Sequence, residues 1–233
     1  MTRPPPLAPG AAVAVTLGAL VTFGLVRRFA IPGEWHLLAN VAAAAGFGAI
    51  ALLTGLRADE LGLARARLGA GARLGGLALG LVTVVVGAAL LFPAGRDAFV
   101  DARLDTSLAE MLRRVLVDIP LGTVLLEELA FRGVLLALLL RVTGRGPAIA
   151  ASVAAFSVWH LPPLLGGGAD AAAGADVAGS TAAVIAGTLV ATGVAGLAFT
   201  WLRLRSGSLL APALAHLGTN SVTFALAWWA AGP

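Results

Sequence analysis

Two acids and a base stand inside a stretch that otherwise reads as lipid-soluble helix. Between Val124 and Leu136 the run is Leu125, Leu126, Glu127, Glu128, Leu129, Ala130, Phe131, Arg132, Gly133, Val134, Leu135. Each ionisable group at the centre of a membrane helix costs roughly 2.5–3.5 kcal/mol on insertion scales. Such groups face a protein interior or a wet cavity and mark a functional site. Two further polar pairs, Phe156 with His160 and His216 with Asn220, recur at four-residue spacing in other apolar stretches.

The background makes this meaningful. The chain has 233 residues, 59% hydrophobic and 12% charged, with a mean hydropathy of +0.93. Soluble domains carry about 25% charged residues. The composition therefore predicts a multi-pass, all-α transmembrane bundle. Every basic side chain is Arg, and the Ala, Gly, Leu and Arg bias is that of GC-rich coding DNA. A bacterial plasma membrane protein is expected. The net charge of +4 follows from Arg at helix ends and implies no nucleic-acid partner. With no Cys there is no disulfide framework and no thiolate nucleophile.

About seven spans are expected: 11–31, 36–56, 74–92, 120–141, 147–161, 181–202 and 208–230. Residues 1–10 read as a disordered lead, and 11–233 as one transmembrane domain with a catalytic core at about 106–226. The stretch 106–141 is too long for one span at 1.5 Å per residue. Pro120 predicts a break between an amphipathic segment, 106–118, and the fourth span. Arg114 and Asp118 read as a surface pair within that segment. Residues 164–180 read as the most flexible connector. Repeated small residues, among them Gly75, Gly76, Gly80, Gly87, Gly187, Gly193 and Gly196, predict close helix approach. His36, beside Glu34 and Trp35, reads as interfacial, and the Trp residues as belt or core. The densest Arg cluster, between 57 and 73, predicts a cytoplasmic loop and a cytoplasmic N-terminus. That leaves Arg27 and Arg28 outside, against the rule.

Depth allows the three polar motifs to meet. Glu127 lies 14 residues before Arg141, and His160 lies 14 after Gly146. In antiparallel neighbours both side chains sit roughly 20 Å from the shared turn. His216 is roughly 13 Å into its own span. Glu128 precedes Arg132 by four, the order that favours an ion pair. Glu127 is rotated about 100° away and is free for another task. A carboxylate and an imidazole at this depth suit activation of water by general-base catalysis. A second His and an Asn amide suit an oxyanion. Alternatively Glu127, His160 and His216 are candidate ligands for a divalent metal such as Zn²⁺. Both routes end in hydrolysis.

The three motifs resemble those of a known family. Glu127-Glu128 through Arg132 looks like its Glu-Glu-x-x-x-Arg, Phe156 to His160 its Phe-x-x-x-His, and His216 to Asn220 its His-x-x-x-Asn. The family is CPBP (CAAX proteases and bacteriocin-processing enzymes), which includes the prenyl-protein endopeptidases and the Abi proteins. The resemblance runs from about 57 to 226 and includes Asp59-Glu60-Leu61-Gly62-Leu63. It implies an intramembrane endopeptidase. Glu127 would activate water with His160 beside it, Glu128 and Arg132 would shape the site, and His216 and Asn220 would stabilise the oxyanion. The metal-free version is preferred, because Asn is a poor zinc ligand and a good oxyanion donor. The expected partners are the bilayer and a membrane-anchored protein or peptide substrate. Two competing readings are a non-catalytic scaffold or immunity-type factor and a proton-coupled transporter. The complete set of six residues favours the peptidase, and the absence of paired repeats disfavours the transporter.

Overall fold

A computed structural model describes residues 7–99, 104–164 and 180–232. Among these residues there are eight helices and no strand. They are α1 (Pro9–Phe29), α2 (His36–Leu53), α3 (Leu68–Ala89), α4 (Pro93–Phe99), α5 (108–142), α6 (Arg145–Trp159), α7 (Thr181–Ser206) and α8 (210–231). Most of the lead expected at 1–10 and of the connector expected at 164–180 falls outside the described residues. The helix α1 starts at Pro9, where Pro's missing N–H costs nothing.

Among the described residues, five helical segments are long and apolar enough to cross a membrane: Pro9–Phe29, Gly33–Leu53, Arg65–Ala89, Arg145–Leu164 and Thr181–Ser206. Of the other two expected spans, 120–141 lies within α5 and 208–230 begins two residues before α8; both helices have π-helical stretches along their length. These are also the helices that carry the acid pair, Arg132, His216 and Asn220.

The break expected at Pro120 does not occur. A capping box at Ser107 and Glu110 starts α5, which then runs unbroken to Val142. Pro120 sits inside a π-helical stretch, Arg114–Val124. In an α-helix its ring would strike the carbonyl four residues back. The wider π turn relieves that clash, and the carbonyl of Pro120 accepts from the N–H of Leu125, five residues on. The same widening shapes the expected surface pair. Asp118 bonds to Arg113, five positions earlier, at 3.3 Å, while the Arg114 guanidinium lies 4.9 Å from the centre of the Phe224 ring.

The core lies along the second half of α5. Leu126, Ala130, Phe131, Val134, Leu135, Leu136 and Leu138 are all sealed from solvent, against α1, α2, α6 and α7. Of the small residues, Gly75, Gly193 and Gly196 do permit close approach. A Cβ at Gly75 would lie 2.8 Å from the carbonyl oxygen of Ala211 in α8. One at Gly196 would lie 3.1 Å from Phe156. Gly76, Gly80, Gly87 and Gly187 face open space.

One end of the bundle is tied by a clamp. Arg141 grips the Glu60 carboxylate through two bonds of 2.7 Å and reaches the carbonyls of Thr54 and Gly55. Arg203 donates to the carbonyl of Glu60 at 2.7 Å, and the N–H of Leu209 to that of Gly62. Gly62 has a φ of +75°, and any Cβ there would run into the Arg203 guanidinium.

Candidate active site

The helix α6 stops at Trp159 because Pro162 follows three residues later and cannot continue it. At the stop the His160 N–H bonds to Ser157. The carbonyl of Phe156, left without its usual partner, accepts from His160 Nδ1 at 2.7 Å. A carbonyl only accepts, so Nδ1 carries the proton and Nε2 presents a lone pair. The chain ending thus chooses the tautomer.

Glu127 and Glu128 point into the protein from neighbouring positions of α5, and both are buried. Glu128 Oε1 accepts from Arg132 Nη1 at 3.0 Å and from His216 Nδ1 at 2.9 Å. Glu128 and Arg132 are each 1% exposed, so neither charge can be satisfied by water. The guanidinium also lies 3.8 Å from the centre of the Phe156 ring and 5.1 Å from that of Phe199. His216, with Nδ1 donating, presents Nε2 to the amide of Asn220 at 3.2 Å. Phe199 lies stacked against the other side of its ring, 5.0 Å away.

Glu127 is held differently. Trp159 Nε1 donates to its Oε1 at 2.9 Å. Its Oε2 is buried without a partner and lies 3.8 Å from Nε2 of His160 and 3.8 Å from Nε2 of His216. All six residues singled out in the sequence therefore meet in one cluster: Glu127, Glu128, Arg132, His160, His216 and Asn220. His160 and Asn220 are half-buried, which gives the cluster its accessible side. Trp159 and Phe199 complete it. Neither was singled out in the sequence, although a Trp beside a motif His needs a partner for its N–H when buried.

A catalytic zinc would draw on Glu127, His160 and His216. Such a zinc takes three protein ligands at about 2.0–2.2 Å. Among the described residues no group of three His, Cys, Asp or Glu side chains could hold a metal ion. Of the three candidates, His216 has its Nε2 lone pair engaged by Asn220.

Two cavities lie near the cluster, and none of its six residues lines either. A polar one of about 290 Å³ lies between the end of α1, the start of α2 and α5, and reaches Thr123, one turn before Glu127. An apolar one of about 540 Å³ lies between α1 and α6, with Trp159 in its wall.

A helical membrane protein with a buried cluster of carboxylates, imidazoles and a guanidinium is the class that fold and site define. Residues 111–222 match the family described as type II CAAX prenyl endopeptidase, Rce1-like. That matched segment contains all six residues. No curated protein and no solved structure matches the chain.

Proposed function

We propose that the protein is an intramembrane endopeptidase that hydrolyses a peptide bond of a membrane-associated protein or peptide with water activated by Glu127. One observation carries the reading: Glu127 Oε2 is buried, unpartnered and 3.8 Å from His160 Nε2. Both atoms are acceptors, so a water molecule donating to both suits the space between them. Glu127 takes a proton from that water as the oxygen attacks the carbonyl carbon. Asn220 uses one N–H on His216 and keeps a second for the oxyanion. On collapse, Glu127 returns the proton to the departing amine nitrogen. Glu128, Arg132 and His216 position this machinery. His216 acts through Asn220, which refines the joint oxyanion role first expected.

The helices α5 and α8 complete a bundle of seven spans in this proposal. Among the described residues, Arg57, Arg65, Arg67, Arg141, Arg145, Arg203 and Arg205 lie at one end, together with Asp59 and Glu60. That end faces the cytoplasm by the positive-inside tendency. Arg27 belongs to the polar cavity at the other end, which explains its breach of the rule.

The test compares wild type with Glu127→Gln against a solubilised membrane-protein library, mapping new termini. Wild type produces discrete new termini and Glu127→Gln produces none. Identical termini from both proteins would overturn the proposal.

A further inference from the structure

We infer that Arg27, with Asn40, forms an anchoring subsite for a carboxylate of the substrate, held in the polar cavity beside the cluster. The inference rests on the peptidase reading for its substrate, but its residues lie outside the segment that matches the family.

Arg27 is half-buried at the end of α1. Its guanidinium makes no hydrogen bond to any described residue, and its Nε is buried without one. The Trp159 indole faces it, ring centre 6.0 Å away, and the Glu127 carboxylate acts on it through space. A guanidinium in this position, more than an exposed one, has an unmet requirement for an acceptor. The other charges around the cavity are Glu34, His36, Arg113, Arg114 and Asp118. Asp118 is held by Arg113, and Arg114 lies over Phe224. Arg27 thus lines the cavity as a cation without a hydrogen-bonded acid, and Glu34 lines it too.

Asn40 supplies the second half. Its Oδ1 is buried and accepts no hydrogen bond, and it lines the same cavity. A buried acceptor beside an unsatisfied cation suits a group that offers an N–H and a carboxylate together. A peptide residue bearing a carboxylate does so, whether at the chain terminus or on an acidic side chain. A free inorganic anion lacks the N–H.

Distance ties the subsite to the chemistry. Trp159 faces Arg27 with its ring and donates its N–H to Glu127. The guanidinium and the carboxylate are therefore neighbours of one indole, a separation that extended chain covers in a few residues at about 3.3–3.6 Å each. Arg27 would thus fix the register of the peptide, and with it which bond meets Glu127.

The test separates this subsite from the peptidase reading by measuring binding without turnover. The probe is a fluorescent pool of mixed-sequence hydrophobic pentapeptides, made as free acid and as carboxamide. It is titrated against full-length Glu127→Gln protein, with Arg27 intact, as Gln or as Lys. The free-acid pool should bind about tenfold or more tighter than the amide pool. Arg27→Gln should erase the difference and Arg27→Lys should keep part of it. Asn40→Ala should weaken both pools. An amide pool rebuilt with one Asp per peptide distinguishes the sources: recovery of tight binding assigns the carboxylate to a side chain, and no recovery assigns it to the terminus. Equal binding of the acid and amide pools, or a difference that survives Arg27→Gln, overturns the subsite. If the subsite stands while wild type cleaves nothing, only the peptidase reading falls.

Discussion

At the scale of single residues, the two neighbouring acids divide the work by what holds them. Glu128 is committed to Arg132 and His216, while Glu127 keeps one oxygen unpartnered. In Glu127→Gln, cleavage should fall by roughly 10²–10⁴, as for loss of a general base, with the thermal midpoint little changed. Full activity would remove Glu127 from the chemistry. Trp159→Phe keeps the ring and deletes the N–H that orients Glu127. Cleavage should drop about tenfold or more, because a hydrogen bond to a charged group is worth roughly 1.5–3 kcal/mol. An unchanged rate would show that Glu127 is oriented by something else. The motif residues were legible in the sequence because charge in an apolar run has few innocent explanations. Trp159 and Phe199 were not, since aromatic residues are common in membrane helices. Only the fold shows that one bonds a carboxylate and the other lies against an imidazole.

At the scale of elements, local widening of α5 and α8 sets where the polar side chains point. Glu128–Leu135 and Gly218–Val222 are π-helical and carry Glu128, Arg132 and Asn220. Such turns concentrate at functional sites. Apolar periodicity reveals a helix but not its pitch, which is why Pro120 read as a break. Arg132→Leu strands Glu128 in the core. Removing one partner of a buried pair costs about 3–5 kcal/mol, so detergent-purified protein should unfold at clearly lower temperature. A midpoint equal to wild type would refute this structural role. The contact of α3 with α8 depends on Gly75. Gly75→Val drives a side chain into Ala211, and overpacking of this kind costs roughly 1–3 kcal/mol. Because α8 carries His216 and Asn220, cleavage should fall together with stability. A variant that matches wild type in both would show that the seam can open without consequence.

At the scale of the whole molecule, the clamp around Glu60 joins the 54–63 turn to the ends of α5 and α7. The Arg57 hydrogen bond lowers the Asp59 carboxyl to about 2, and the Arg141 bond holds Glu60 below the ordinary carboxylate range. Both carboxyls titrate below their unfolded range, roughly 3.9–4.3. The stabilisation is therefore complete above that range and is lost as pH falls through it toward 2. Thermal midpoints in low-salt detergent should decline between about pH 5 and pH 3, and less steeply in Glu60→Gln; parallel declines would acquit the clamp. Orientation was the feature least legible in the sequence. Arg27 and Arg28 run against the Arg-rich loop in the sequence, and in the fold Arg27 lines a cavity. The cysteine-free chain allows a direct check: in intact cells an impermeant maleimide should label Glu34→Cys and spare Ala66→Cys. The apolar cavity between α1 and α6, bordered by Leu17, Val21 and Val158 with Trp159 behind them, carries a kinetic consequence. A substrate arriving through that side wall is drawn from the plane of the bilayer. Its rate would then follow its mole fraction among lipids, and adding inert lipid at constant total substrate should slow the enzyme by surface dilution.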